Sequence, residues 1–238
     1  MSYVKRVLKT AAKWLLALCL AVMLLALSIS IAANSLWLYQ YGAEKYGVKQ
    51  KLANSGLVLT DADLEQIYAR LIGYFNSDEE YLSLAVVKDG QTVDLFTPEE
   101  TVHFKDVKGL IWLDYWILAG TLIYILSYVL LSLFLWKDRR QVAQGLVWGS
   151  SLTLALLLAL VLLNTISGFD RIFYQFHLLF FSNLFWSAEG YMLLLFPQGF
   201  FIDAATFGTL IMVGGAAVIG GIGVYCRRKQ ALLQRPEA

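Results

Sequence analysis

The sequence predicts an α-helical polytopic membrane protein with four transmembrane helices. A small α/β extracellular domain is expected between helices 1 and 2, and an aromatic interfacial or re-entrant segment between helices 3 and 4. Three observations predict this class. The 238 residues are 58% hydrophobic and only 16% charged, whereas soluble domains carry about a quarter charged residues. The apolar residues gather in four blocks of about 20, the length that crosses roughly 30 Å of hydrocarbon. Basic residues flank these blocks at alternate polar ends only, which hides a strong sidedness behind a net charge of +1.

Taken in order, residues 1–13 form a basic start with Lys5, Arg6, Lys9 and Lys13, and residues 14–33 form the first span. The second span is 116–136, followed by the 137–145 loop with Lys137, Arg139 and Arg140. The third is 146–166, the fourth 204–225, and the tail 226–238 opens with Arg227, Arg228 and Lys229. Basic ends stay cytoplasmic, so both termini are expected inside and residues 34–115 and 167–203 outside. Cys19 lies within the first span, where Leu18 occupies the place a signal-peptide cleavage site gives to a small residue, so the helix is expected to stay uncleaved. In the fourth span, Ala216/Gly220 and Ala217/Gly221 have the small-xxx-small spacing of close helix packing.

The 34–115 segment reads as structured. Thr60 with Asp63 makes a capping box, and Leu64, Ile67, Tyr68, Leu71 and Ile72 recur at helical spacing up to a stop near Gly73. Tyr81–Val87 and Thr92–Phe96 read as a hairpin with Asp89-Gly90 in its turn. Thr97-Pro98-Glu99-Glu100 is a second helix start, with threonine as N-cap, proline at N1 and glutamate at N3. Gly109 is placed as a bend before the second span.

Histidine occurs only twice, His103 and His177, and both fall in the segments expected outside. Glu99, His103 and Asp106 share one helical face, so a carboxylate one turn away is expected to orient the His103 ring and raise its pKa. Asp170, Tyr174 and His177 share a face in the same way. The aromatic residues around His177, including Phe176, Phe180, Phe181 and Trp186, suit either an interfacial belt or a segment that grips acyl chains. Tyr74, Asn76, Arg171 and Asn183 are further candidates for oxyanion or headgroup contacts, with Tyr174 and Trp186 as candidates for orienting, oxyanion or substrate contacts.

Several chemistries lack their residues. No serine elbow, HExxH motif or phosphate-cradling glycine loop occurs, and no Cys/His cluster offers a metal ligand set. No metal and no cofactor are expected, and no basic run interleaved with aromatics suggests nucleic acid. Few charges enter the spans, which disfavours an ion pathway. What remains is histidine acting on a nucleophile that belongs to the substrate.

The pattern FxxFHxLFFxNxxW (Phe173, Phe176, His177, Leu179, Phe180, Phe181, Asn183, Trp186) followed by LLxFPxxFFxD (Leu193 to Asp203) resembles the lipoprotein intramolecular transacylase (Lit) family of Gram-positive membrane proteins. YFNSDEEYL (Tyr74–Leu82) and FTPEETVHFKDVKGL (Phe96–Leu110) resemble the same family. The resemblance implies a bacterial plasma-membrane enzyme with its site on the outer face. It would move the sn-2 acyl chain of a diacylglyceryl-modified lipoprotein onto the α-amino group of the N-terminal cysteine, giving a lyso-form lipoprotein. His103 and His177 would supply base and acid in an order the sequence leaves open, with membrane lipids around them and an oligomeric state not fixed. Two alternatives stand beside it: a non-enzymatic membrane protein binding lipid or a partner through the aromatics, and a lipid acyltransferase or hydrolase.

Overall fold

The computed structural model describes residues 3–233; residues 1–2 and 234–238, the outermost parts of the expected cytoplasmic ends, lie outside the described residues. In chain order the elements are α1 (Tyr3–Ala33), α2 (Leu36–Lys45), α3 (Val48–Asn54), α4 (Asp61–Phe75), β1 (Ala85–Lys88) and β2 (Gln91–Asp94). There follow α5 (Pro98–Leu130), continued by a π-helical turn at Leu131–Leu135, then α6 (Arg139–Ser167), α7 (Phe169–Phe180), α8 (Tyr191–Leu195) and α9 (Gln198–Leu233). Four of these helices, α1, α5, α6 and α9, are long and apolar enough to cross a membrane.

Each is longer than its apolar block. The helix capped by Thr97 does not stop at Gly109 but runs without a break into the second span. A lone glycine costs a helix only about 1 kcal/mol, too little to interrupt this rod. With its π-helical turn the rod counts 38 residues, or about 57 Å at about 1.5 Å per residue. That is nearly twice the hydrocarbon thickness of about 30 Å. Its first third, which carries Glu99, Glu100, Lys105, Asp106 and Lys108, therefore has length to spare outside the span.

The chain divides into two compact units. One comprises residues 1–29, 114–163 and 208–238, and the other residues 30–113 and 164–207. In the first unit, Leu16 and Leu20 pack with Ile125, Tyr128 and Val142, while Leu24 meets Leu157, Met212 and Ala216. Glycine permits the close approaches: a Cβ on Gly149 would lie 2.7 Å from Leu20, and one on Gly223 would lie 2.9 Å from the Ala143 carbonyl. Of the two small-residue pairs read from the sequence, Ala216/Gly220 packs, with Gly220 facing Ser150, whereas Ala217 is exposed and Gly221 meets open space. Outward-facing Ile123, Leu158 and Leu210 give this unit the apolar exterior that acyl chains require.

The second unit holds the shorter elements. Its helices α2 and α3 were not foreseen, and they begin at Ser35 and at Gly47, the latter in the left-handed region (φ 60°). Helix α4 starts on the expected capping box but runs past Gly73 to Phe75, burying Tyr74 and Phe75 as a further turn of its apolar face. The hairpin is real but shorter than expected, pairing Ala85–Lys88 with Gln91–Asp94 through an Asp89-Gly90 turn in which both φ angles are positive. One more cross-strand bond follows, from the Leu95 N–H to the Leu84 carbonyl at 2.8 Å, and residues 81–83 then leave the ladder, with Tyr81 under the Lys105 ammonium and Leu82 in the core. That core is a chain of rings: Tyr39 meets Tyr68, Phe196 and Phe200 at 5.4–5.9 Å, and Phe196 continues to Phe104 at 6.4 Å.

Candidate active site

The site grows from two short stretches of the second unit: the start of α5 and the segment from α7 to α8. The first stretch begins with a complete capping box. The Thr97 N–H donates to Glu100 Oε2 at 2.9 Å, and the Glu100 N–H donates to Thr97 Oγ1 at 3.3 Å. Glu100 is fully buried, and its other oxygen accepts the Met192 N–H at 2.7 Å. One carboxylate thus caps its own helix and holds the first turn of α8. The fit is tight, since a Cβ on Gly190 would collide with the Glu100 carboxylate. Burial pushes the Glu100 pKa up, opposed by the two backbone N–H groups it accepts.

His103 follows Glu100 by one turn and is 7% exposed; His177, the buried residue of α7, is 6% exposed. Their rings lie 6.2 Å apart at 29°. Phe181 touches both, at 4.8 Å from His103 and 5.3 Å from His177. Phe173 and Trp186 close on His177 at 4.3 and 4.7 Å. The enclosure is apolar, and that governs the electrostatics. Burial, and then the neighbouring His177, carry His103 down to about 4, overriding the upward pull of Asp106. Burial likewise lowers His177. Both rings are neutral at pH 7.

The expectation that a carboxylate one turn away raises the pKa of His103 is therefore corrected: desolvation outweighs it. Neither carboxylate is hydrogen-bonded to that ring. Glu99 is exposed, and Asp106 accepts from Asn183 Nδ2 at 2.9 Å. Asn183 in turn accepts the Phe185 N–H at 3.0 Å, so it is committed to shaping the loop that presents Trp186. The His177 tautomer is also fixed. Its Nδ1 lies 2.7 Å from the Phe173 carbonyl, an oxygen that only accepts, so Nδ1 carries the proton and Nε2 keeps its lone pair. His103 Nδ1 is buried without a hydrogen-bond partner.

The other candidates lie in different settings. Tyr174 is exposed and meets Trp186 edge-on at 5.6 Å. Arg171 is exposed. Tyr74 belongs to the core, where it donates to the Glu80 carbonyl and lies under the Lys108 ammonium. Asn76 bonds to Asn34 and to the Ile72 carbonyl, at the end of α4. The structure thus gathers His103, His177, Asp106, Asn183, Tyr174 and Trp186, and leaves Tyr74, Asn76, Arg171 and Glu99 outside the ring enclosure. Glu100 and Gly190 belong to the site and were missed. The capping box named Glu100, but its bond to Met192 spans 92 residues of sequence and leaves no local signal.

Among the described residues no group of three His, Cys, Asp or Glu side chains could hold a metal ion. What the arrangement offers is a neutral imidazole with a defined free nitrogen, a second imidazole beside it, and aromatic walls that exclude water. Such a site suits proton transfer during attack on a carbonyl that arrives with an apolar chain.

No curated protein matches the chain by sequence. Among solved structures it is similar to the membrane-integral lipoprotein intramolecular transacylase Lit from Bacillus cereus, at 23% identity over 94% of this chain and 98% of that one, with a TM-score of 0.76. A form of that protein with a histidine-to-arginine mutation matches at 22% identity over 98% and 97% of the two chains, with a TM-score of 0.78. A form with a histidine-to-alanine mutation matches at 21%, over 97% and 98%, with a TM-score of 0.77. At these identities the likeness shows the fold, and with the four apolar helices it makes the chain a multi-pass membrane protein. The family model for the lipoprotein intramolecular transacylase Lit matches residues 14–201, and the chain belongs to that family of acyltransferases.

Proposed function

We propose that the chain transfers the sn-2 acyl chain of a diacylglyceryl-modified lipoprotein to the α-amino group of its N-terminal cysteine. The product is an N-acylated lyso-form lipoprotein. The observation that carries this reading is the pair of buried, neutral histidines, 6.2 Å apart inside an aromatic enclosure, one with its tautomer fixed.

The chemistry follows from those groups. The substrate amine attacks the ester carbonyl carbon, a C–N bond forms, and the carbonyl π electrons move to oxygen. His177 Nε2 takes the proton shed by the amine. That proton passes to His103, and from it to the sn-2 oxygen as the C–O bond breaks; the low proton affinity of His103 suits it to serve a departing alkoxide. One proton leaves nitrogen and one reaches oxygen, so neither water nor an acyl-enzyme is needed. Because nucleophile and ester belong to one molecule, the protein contributes mainly the folding of the substrate into an attack geometry.

The topology belongs to the same proposal. Lys9, Lys13, Arg139, Arg140, Arg227 and Arg228 would face the cytoplasm of a bacterial plasma membrane, with spans at 14–33, 116–136, 146–166 and 204–225. Residues 34–115 and 167–203 would then lie outside, where mature lipoproteins are displayed. Exposed Phe176, Leu179, Phe180 and Leu184 would meet the acyl chains of substrate and lipid.

Mass spectrometry of lipoprotein N-termini tests the reading in cells expressing this chain, its His103→Ala variant or its His177→Ala variant. The expected result is an acyl group moved from glycerol to the cysteine amine with the unsubstituted chain, and a loss of at least about 100-fold in each variant, the scale of general acid–base catalysis. Retention of transfer by both variants, correctly inserted, would sink the histidine roles.

A further inference from the structure

Among the described residues, four buried side-chain polar atoms lack a hydrogen-bond partner. The two in the second unit are His103 Nδ1 and Trp186 Nε1, and the rings that carry them both lie against His177. The first belongs to a proposed proton carrier. The second has no part in the chemistry so far. An indole N–H is a donor only, and burying it without an acceptor is costly, so buried tryptophans usually find one.

The loop does not leave this ring loose. Asn183 ties the loop to Asp106 and holds the Phe185 N–H, Tyr174 abuts the Trp186 ring, and Glu100 anchors Met192 six residues on. The indole is thus fixed 4.7 Å from the imidazole of His177, the ring whose Nε2 is free. A carbonyl under attack by an amine delivering its proton to that nitrogen places its own oxygen nearby. That oxygen turns from a weak acceptor into an anion as the carbon becomes tetrahedral. An apolar wall with one buried donor is the setting in which such a donor acts most strongly.

We propose that the Trp186 indole N–H is the oxyanion donor of the reaction: it donates to the sn-2 ester carbonyl oxygen and stabilises the negative charge formed when the amine adds. This rests on the transacylase reading above and adds a catalytic residue to it. The bond strengthens as C–N formation proceeds and weakens when the carbonyl re-forms with departure of the glycerol oxygen. The indole exchanges no proton, so the proton balance between His177, His103 and the substrate is unchanged.

Trp186→Phe keeps a flat ring in the wall and removes the N–H. With a synthetic diacylglyceryl-cysteinyl lipopeptide in vesicles, kcat is expected to fall about 100-fold with KM within about threefold, the scale of losing one oxyanion-hole donor. A kcat within about threefold of the unsubstituted chain, or a loss confined to KM, would overturn the proposal.

Binding supplies a readout that a merely structural role would not move. Two inert lipopeptides serve as probes, one with a tetrahedral phosphonate at the sn-2 carbonyl and one with an sn-2 ether. The phosphonate is expected to bind Trp186→Phe about 100-fold more weakly than the unsubstituted chain, while the ether binds both alike. Equal phosphonate affinities, or equal losses for both probes, would overturn it. If the unsubstituted chain forms no N-acylated product, the transacylase reading fails, and the phosphonate comparison still decides on the donor.

Discussion

The molecule contains two capping boxes with nearly the same local chemistry and different destinies. In the first, Thr60 and Asp63 open α4: the Thr60 N–H donates to Asp63 Oδ2 at 2.8 Å, and the Asp63 N–H donates to Thr60 Oγ1 at 3.1 Å. In the second, Thr97 and Glu100 do the same for α5. The first box faces solvent and ends its work at its own helix. The second is buried, and the oxygen left over from capping reaches across to Met192. The same motif stabilises a helix start in one place and, in the other, joins the helix carrying His103 to the segment that follows Trp186. What separates them is the environment of the carboxylate.

The comparison breaks most sharply at glycine. Gly190 adopts an extended backbone that any residue accepts, so its requirement is steric: a Cβ there would strike the Glu100 carboxylate. Gly190→Ala must either lift the loop or break the Met192 bond, and overpacking of this kind costs about 1–3 kcal/mol. The expected outcome is a loss of transacylation of about 100-fold or more. Gly73, inside the helix of the first box, meets nothing within 4 Å. Gly73→Ala is expected to leave activity unchanged and to stabilise the protein by about 0.5–1 kcal/mol. Replacing Glu100 by alanine in the Gly190→Ala background removes the clash. If the activity losses of Gly190→Ala and Glu100→Ala simply add in the double variant, steric conflict is not the cause.

A milder substitution sharpens the same contrast. Glu100→Gln retains one carbonyl oxygen and turns the other atom into a donor, so one of the two N–H groups loses its acceptor. A buried unsatisfied N–H costs about 1–3 kcal/mol. We expect roughly a tenfold fall in kcat/KM for the lipopeptide and a lower melting temperature. Asp63→Asn, which makes the same change in solvent, is expected to leave kcat/KM within about twofold because water replaces the lost acceptor. Equal effects at the two sites would remove the special role of Glu100.

How much of this was legible follows from the range of each interaction. The four spans declared themselves because hydrophobicity summed over about 20 residues is a local property. Both capping boxes, the Asp89-Gly90 turn and the two histidines were legible for the same reason. Helices α2 and α3 were not, since their 10 and 7 residues bury only a few side chains each and show no long periodicity. The continuity of α5 through Gly109 depends on the whole rod rather than on that residue. At the site, the partners of Glu100 and Asp106 lie 92 and 77 residues away. Proximity in sequence therefore pointed to Glu99 and Asp106 as partners of His103, whereas folding engages Asp106 with Asn183 and leaves Glu99 exposed.

The smallest effect carries the most specific sign. Accepting from Thr60 holds the Asp63 carboxyl below its ordinary value, while burial holds Glu100 above its own. A depressed folded pKa means that the unfolded chain binds more protons on acidification, so the stability contributed by Asp63 is present above 3.8 and lost as the pH falls below it. A raised folded pKa reverses the sign. The folded chain then holds the Glu100 proton longer, so its contribution is greatest below 4.5 and declines as the pH rises through the folded value. Melting temperatures of the parent and each amide variant, measured from pH 3 to pH 7 in one detergent, isolate the two groups, because the histidine titrations cancel in each difference. The gap between parent and Asp63→Asn is expected to widen with rising pH, and that between parent and Glu100→Gln to narrow, by a few degrees in each case. Gaps that move in the same direction would mean that the buried carboxylate is stabilised as an anion by its two N–H donors more than burial penalises it, and the two boxes would then differ in reach alone.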